Sequence, residues 1–331
     1  MTPFRLSLAI PVYNEEAVLP ELLRRTREVL DRMPGGPHEI VFVDDGSSDR
    51  TPALLTQAAR QDDRICAVIL SRNFGHQTAL TAALDYVTGD ATVAIDGDLQ
   101  DPPETIPLLV EKFHEGYDVV YVQRVKRKEP LWLRACFWFF YRLMAGLSDI
   151  QLPLDSGDFG LMSRRVVEQV RQMKEHHRYV RGLRSWVGFR QIGIPIERAE
   201  RQAGKSKYNV WRRFKGAADG IFAFSVVPLR AATLLGAVSI VLALLVAVYS
   251  LYAKFMLRQT VPGWTGLMVS ISFLSGINLL FLGIIGEYVG RIYEEIKSRP
   301  LYVVSHVEGR NVKANWAAEP TRRSAAGRSW D

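Results

Sequence analysis

Short apolar runs alternate with helical patterns over the first hundred residues, and this alternation constrains the fold more than any other feature. Four apolar runs predict buried strands, at residues 6–10, 39–43, 65–70 and 91–95. The segments between them repeat apolar residues at helical spacing, over residues 17–33, 51–60 and 77–86. Repeated strand–helix units predict an α/β fold, with a mostly parallel sheet and helices on both faces.

Polar residues follow each of these four strands at the point where the strand ends. The clusters occupy residues 11–15, 44–49, 72–76 and 96–104. In open α/β sheets, ligands bind beyond the carboxyl ends of the strands. We therefore expect the four clusters to converge on one ligand site.

The last cluster is the most acidic, since its loop carries Asp96, Asp98, Gln100 and Asp101 after an apolar strand. Carboxylates this close repel one another unless a cation lies between them, and oxygen ligands of this kind suit Mg²⁺ or Mn²⁺. Residues 102 and 103 are prolines, which end the strand and open a helix. The alternative is a solvated acidic turn that caps this helix.

Composition and charge narrow the class of protein. The chain has 331 residues and a net charge of +7, and its basic residues gather after residue 120 and around the apolar C-terminal region. This distribution indicates a membrane surface or phosphate-bearing partners, and no nucleic-acid-binding signature is present. Cys66 and Cys136 lack metal or redox spacing, which indicates reduced thiols in a cytosolic setting. The apolar start is too short for a cleavable signal peptide.

Two segments, residues 231–253 and 265–286, carry no charged side chain and have the roughly 20 residues needed to cross a bilayer. A turn containing Pro262, Gly263 and Trp264 separates them, which predicts a transmembrane hairpin. Basic residues flank the hairpin on its outer sides, so both termini are expected in the cytoplasm. A buried helical pair in a soluble protein is the alternative.

Two further stretches, about residues 130–146 and 208–225, interleave aromatic and basic residues. This pattern predicts, for each stretch, either a core helix or an amphipathic helix at the membrane surface. We therefore predict a cytoplasmic domain over residues 1–225, a transmembrane hairpin over 226–290 and a cytoplasmic tail over 291–331. The end of the tail is polar and arginine-rich, which predicts disorder.

Residues 11–15, 44–49 and 96–104 resemble the signatures of family 2 glycosyltransferases, which have the GT-A (Rossmann-like) fold. The resemblance is closest to the polyprenyl-phosphate branch, which includes dolichol-phosphate mannose synthases and bacterial undecaprenyl-phosphate glucosyltransferases. It continues through residues 155–159, 201–208 and 286–293. This chain departs from the pattern at Gly97, where many relatives have alanine. It departs again at Gly160, where relatives of the glucosyltransferase type often have arginine.

The resemblance implies roles for individual residues. Those that would bind the nucleotide sugar are Pro11, Tyr13, Glu15, Asp44, Asp45 and Asp96. Those that would hold Mg²⁺ or Mn²⁺ are Asp96, Asp98 and Gln100.

The resemblance also implies a catalytic carboxylate at Asp158, with Asp101 and Asp155 as rivals. The phosphate of the acceptor would contact Arg201, Ser206 and Lys207. His76 is a weaker candidate, because a histidine at a helix start is often a capping or packing residue.

The resemblance implies an integral enzyme of the cytoplasmic membrane that transfers one sugar with inversion. We expect glucose to move from UDP-glucose to undecaprenyl phosphate, giving a lipid-linked sugar for cell-envelope glycan modification. GDP-mannose or UDP-amino-arabinose as donor, or a non-catalytic membrane scaffold, are the alternatives, and a homo-oligomer is left open. Residues 204–206 match the end of a phosphate-binding loop, but position 199 is alanine rather than glycine, which argues against a nucleoside triphosphatase.

Overall fold

The computed structural model of this chain describes residues 3–124, 156–176, 178–196, 227–256 and 263–309. The chain forms two compact units. Several predicted features lie outside the described residues: the two amphipathic stretches, Asp155, Arg201, Ser206, Lys207 and the end of the tail.

The first unit is built on one eight-stranded sheet. Its strands are β1 (Leu6–Val12), β2 (Glu39–Asp44), β3 (Ile65–Leu70), β4 (Ala91–Ala94), β5 (Val119–Arg124), β6 (Ser156–Ser163), β7 (Gln191–Ile196) and β8 (Val304–Glu308). Its helices are α1 (Leu19–Asp31), α2 (Thr51–Gln61), α3 (His76–Tyr86), α4 (Ile106–His114), α5 (Arg164–Gln172) and α6 (Val180–Trp186), and a 3₁₀ turn spans Pro103–Thr105.

The strands lie in the order β7-β5-β6-β4-β1-β2-β3-β8. The four strands predicted from the first hundred residues, β3, β2, β1 and β4, are adjacent and all parallel. This confirms the predicted α/β fold with a parallel sheet at its centre. Two strands run against that direction: β6 lies between β4 and β5, and β8 covers the free edge of β3.

Burial explains why these segments form strands. Every residue of β1 and β3 is buried, as expected for strands with both faces covered. The prediction ended β1 at residue 10, but the strand continues through Pro11 to Val12. Proline is tolerated there because β4 pairs with β1 only as far as Ala9, so no donor is required on that side.

The second unit contains two long helices, α7 (Val227–Phe255) and α8 (Trp264–Ile296), which include the two predicted membrane segments. Large apolar side chains on both helices face outward; Leu244 of α7, for example, is 61% exposed. The hydroxyls of Thr233 and Ser239 donate to carbonyls one turn earlier, which satisfies these polar groups within the helix itself.

Among the described residues, one segment has the length and hydropathy needed to cross a membrane, Phe273–Ile296 of α8. It extends ten residues beyond the predicted end of the second span, to Ile296. Helix α7 contributes a shorter apolar segment, Leu235–Tyr249. The two-span hairpin therefore stays a prediction.

Candidate active site

The candidate site lies at the carboxyl ends of β1, β2 and β4, where hydrogen bonds join the first two loops. The amide of Asp45 donates to the carbonyl of Val12 at 2.9 Å, and the amide of Asn14 donates to Ser47 Oγ at 2.8 Å. Asn14 Oδ1 in turn accepts from the amide of Ser48 at 2.9 Å. Two of the polar clusters predicted to converge are thus in direct contact.

The residues predicted to bind the nucleotide sugar differ in their exposure. Tyr13 is 44% exposed and Glu15 is half-buried, whereas Pro11 and Asp44 are buried. Oδ2 of Asp44 accepts from the amide of Ser47 at 3.1 Å, which holds the turn after β2. Tyr13 therefore offers the most accessible surface in this group.

Asp45 is only 3% exposed, and its carboxylate is engaged by the loop after β3. Its Oδ1 accepts from the amide of Phe74 at 2.7 Å, and its Oδ2 accepts from the amide of Gly75 at 3.0 Å. Burial raises the pKa of Asp45, while these two hydrogen bonds oppose the rise. Asp45 thus stabilises the loop after β3, and its contact with the nucleotide stays a prediction.

The acidic loop after β4 places Asp96, Asp98 and Gln100 in half-buried positions and buries Asp101. Oδ1 of Asp98 accepts from the amide of Gln100 at 3.1 Å. Leu99 adopts a left-handed backbone conformation with φ of 57° and is buried. An apolar side chain between the acidic ones therefore anchors the loop.

Gly97 is required by the close approach of β1. A Cβ atom at this position would lie 2.6 Å from Cγ1 of Val12 and 3.0 Å from the carbonyl oxygen of Pro11. An alanine at this position would therefore need a shift of the loop in this chain.

His76 brings two of the predicted carboxylates together. Its Nε2 lies 3.5 Å from Oδ1 of Asp96 and 3.4 Å from Oδ2 of Asp158. Helix α3 has Gly75 at its N-cap and no capping hydrogen bond from a side chain, so the capping alternative for His76 is wrong. The His76 side chain contacts the carboxylates instead.

Two residues that sequence reasoning missed also contact Asp158. Nε2 of Gln77 donates to Asp158 Oδ2 at 2.9 Å, and Nε of Arg181 donates to Asp158 Oδ1 at 3.4 Å. The oxygen of the Gln77 amide accepts from the amide of Val180 at 2.9 Å, which links α3 to α6. No local motif marks either residue, because the contacts form only when β6 lies beside β4.

The charges of this cluster perturb one another. Burial would raise the pKa of Asp158, but the hydrogen bond from His76 and the positive charges of Arg181, His76 and Arg184 outweigh burial and lower it. Burial raises the pKa of Asp96 to about 6; His76 opposes this rise and neighbouring carboxylates add to it. Desolvation disfavours the His76 cation, yet Asp158 and Asp96 raise the pKa of His76 to about 9. Asp158 is therefore ionised at neutral pH and faces a protonated imidazole.

The acidic loop fits a divalent cation that is held partly by substrate. Among the described residues, no group of three or more His, Cys, Asp or Glu side chains could hold a metal ion by itself. Mg²⁺ is usually bound by one or two carboxylates together with substrate phosphates, so a complete protein cage is not expected. The half-buried carboxylates of Asp96 and Asp98 supply the required hard oxygens, and a cation there would offset the burial and the neighbouring negative charges that raise the pKa of Asp96.

Known proteins that are similar in sequence match this chain over almost its whole length. The model of the family "Glycosyl transferase family 2" matches residues 7–171. An uncharacterised glycosyltransferase of Bacillus subtilis, YkcC, is 46% identical over 92% of this chain and 94% of its own length. The bactoprenol glucosyl transferase of Shigella phage SfII is 39% identical over 91% of this chain and 97% of its own length.

A prophage bactoprenol glucosyl transferase homolog of Escherichia coli K12 is 38% identical over 92% of this chain and 99% of its own length. Among solved structures, the mannosyltransferase PcManGT of Pyrobaculum calidifontis, in complex with GDP-Man and Mn²⁺, gives a TM-score of 0.46 at 20% identity. That alignment covers 88% of this chain and 85% of the mannosyltransferase. This structural likeness is too distant to carry an argument about donor or metal.

Proposed function

Because this chain belongs to glycosyltransferase family 2 and is a glycosyltransferase, we propose that it transfers glucose from UDP-glucose to undecaprenyl phosphate. The observation that carries the proposal is the cluster of Asp158, His76 and Asp96 at the carboxyl edge of the parallel sheet. The names of the phage and prophage relatives support glucose as the sugar and a polyprenyl phosphate as the acceptor.

In the proposed reaction, a phosphate oxygen of the acceptor forms a bond to the anomeric carbon of glucose. The bond from that carbon to the UDP oxygen breaks on the opposite side, and UDP leaves with the electron pair, so the configuration inverts. A divalent cation held by Asp96, Asp98 and Gln100 would offset negative charge on the departing diphosphate.

Asp158 orients the acceptor in this proposal and takes any residual proton from its phosphate. An acceptor that is already an anion needs little help from a strong base. This agrees with the lowered pKa of Asp158, which makes it a weak base. The main contribution of the site is then orientation and exclusion of water, because hydrolysis of the donor competes with transfer. Asp101 is a weaker rival, since it is only 3% exposed.

His76 and Gln77 hold the Asp158 carboxylate in place. Both contact its Oδ2 from the first turn of α3, and Arg181 contacts its Oδ1 from α6. Three donors from two helices leave the carboxylate little rotational freedom. Tyr13, Glu15 and Asp44 are proposed to contact the nucleotide at the neighbouring loops.

The second unit is proposed to hold the enzyme at the membrane that contains its acceptor. The exposed apolar surfaces of α7 and α8 support this, and so does the span at Phe273–Ile296. We propose that both helices cross the bilayer as a hairpin with both termini in the cytoplasm, and that Arg201, Ser206 and Lys207 contact the acceptor phosphate.

The decisive experiment is a transfer assay with the full-length protein in lipid nanodiscs. Undecaprenyl phosphate, Mg²⁺ and labelled UDP-glucose are supplied, and the lipid fraction is examined by mass spectrometry. We expect a glucosyl-phosphate lipid from the wild type and about 10² to 10⁴ times less of it per unit time from Asp158→Asn.

GDP-mannose and UDP-amino-arabinose are tested in parallel. A product from either of them, with none from UDP-glucose, would replace the proposed donor. No lipid product from any donor would favour a non-catalytic scaffold.

A further inference from the structure

Gly160 and Arg184 share one small space beside strand β6. A Cβ atom built on Gly160 would lie 3.0 Å from Nη1 of Arg184 and 2.7 Å from the carbonyl oxygen of Val120. The side chain of Arg184, from α6, and the backbone of β5 therefore leave little room for any side chain at residue 160.

Arg184 is buried to an unusual degree for an arginine, with only 2% of its surface exposed. Its Nη2 donates to the carbonyl of Gly157 at 3.3 Å, and its guanidinium lies 5.7 Å from the ring of Tyr121. Its Nε is buried and has no hydrogen-bond partner among the described residues. Buried charges with so few hydrogen bonds are costly unless an opposite charge compensates them.

The compensating charge is that of Asp158. Arg184 reaches the carbonyl of Gly157, the residue directly before Asp158, and its positive charge is among those that lower the pKa of Asp158. Burial lowers the pKa of Arg184 to about 10, and Asp158 is the strongest influence opposing that fall. Arg184 therefore stays charged at neutral pH.

Helix α6 presents two guanidinium groups to the start of β6. Arg181 and Arg184 are three residues apart, which places them on one helix face. Arg181 contacts the Asp158 carboxylate directly, and Arg184 contacts the backbone of the preceding residue, Gly157. The carboxylate is thus fixed through its side chain by one arginine and through its strand by the other.

We propose that Arg184 is a positioning residue for Asp158: packed over Gly160, it holds the backbone at Gly157 and supplies a buried positive charge to the carboxylate. This inference rests on the proposed role of Asp158 in transfer. Because Arg184 is buried, it acts through Asp158 and not by contact with substrate.

The alternative is that Arg184 merely fills space, and Arg178 provides the matched control. Arg178 also has its pKa lowered by burial, and it donates to the carbonyls of Met173 and Val170, away from Asp158. Replacing either arginine by methionine removes a guanidinium and keeps most of the volume. Only the Arg184 variant should affect the catalytic step.

The experiment measures kcat, the KM for UDP-glucose and the melting temperature of full-length Arg184→Met, Arg184→Lys and Arg178→Met. We expect Arg184→Met to lose at least about tenfold in kcat, because the carboxylate is misplaced, while KM changes by less than about twofold. Arg184→Lys should recover part of kcat because it restores the charge. Arg178→Met should lose stability but keep kcat.

Wild-type kcat in Arg184→Met would overturn the inference, as would equal loss in the methionine and lysine variants or equal kcat loss in Arg178→Met. If Arg184→Met does not fold, Arg184→Gln takes its place in the same comparison. A wild-type enzyme that makes no glucosyl lipid would instead refute the proposed function.

Discussion

His76 Nε2 lies 3.4 Å from Asp158 Oδ2, although the two residues belong to a helix and a strand that are far apart in the chain. The same imidazole lies 3.5 Å from Asp96. A cation between two carboxylates lets both remain charged in a partly buried site. His76 therefore organises the carboxylates on which the proposed transfer depends.

Replacing His76 by asparagine should lower kcat by about 10²-fold, because both carboxylates lose the cation that fixes their relative position. The measurement is transfer of labelled glucose to lipid under saturating donor. His114→Asn is the control, since His114 lies at the end of α4 and its ring packs against that of Phe4. Unchanged turnover in His76→Asn would remove His76 from the site.

Asp98→Ala should abolish transfer and leave the melting temperature nearly unchanged, because a half-buried loop carboxylate contributes little to the core. EDTA should inhibit the wild type, and added Mg²⁺ or Mn²⁺ should restore activity. Glu168→Ala, which removes an exposed carboxylate paired with Arg164, should behave as wild type. Full wild-type activity in EDTA would contradict a metal-dependent reaction.

Asp45→Ala tests whether this residue braces the loop before His76 or contacts the nucleotide. Loss of the acceptors for Phe74 and Gly75 should cost about 1–3 kcal/mol of folding free energy and lower kcat, because His76 follows directly. Thermal unfolding and kinetics of the same preparation measure both effects. A raised KM for UDP-glucose with unchanged stability would instead indicate a nucleotide contact.

Asp118 lies at the end of the sheet opposite the candidate site, and it should make the free energy of unfolding depend on pH. Its hydrogen bonds with Arg165 at 2.5 Å outweigh burial and lower the pKa of its carboxyl group. A lowered folded-state pKa stabilises the fold above the unfolded value of about 3.9, and this contribution is lost as the pH falls below that value.

The difference in melting temperature between wild type and Asp118→Asn should therefore be largest near neutral pH and shrink below about pH 4. Arg165 is 63% exposed, so solvent screening keeps the effect modest. A difference that stays constant or grows on acidification would show that Asp118 stabilises the fold by packing alone.

Arg201→Ala and Lys207→Ala should each lose far more rate than Arg213→Ala, with little change in the KM for UDP-glucose. Arginine can bind two phosphate oxygens at once and lysine acts as a point charge. If these residues only attract anionic lipid, each is worth about 1 kcal/mol near the surface, and all three losses should be small and similar. Assays with and without added anionic lipid separate the two cases.

The sequence by itself determined the central parallel sheet. Strands β1 to β4 and helices α1 to α3 lie within a few residues of their predicted bounds, because the spacing of apolar residues is a local property of the chain. The acidic loop was also predictable, since Asp96, Asp98 and Asp101 follow one strand directly. The apolar character of α7 and α8 was evident from composition.

The tertiary structure alone decided which groups meet at the site. Strand β6 pairs antiparallel with β4 and so carries Asp158 to His76, and β8 returns from beyond α8 to cover β3. Strand pairing depends on hydrogen bonds between distant segments, and the sequence of neither segment indicates which strand will be its partner. For the same reason, the packing of the Arg184 side chain against Gly160 could not be predicted. A buried arginine and a glycine that makes room for it are each unremarkable in sequence, and only their packing reveals the relationship.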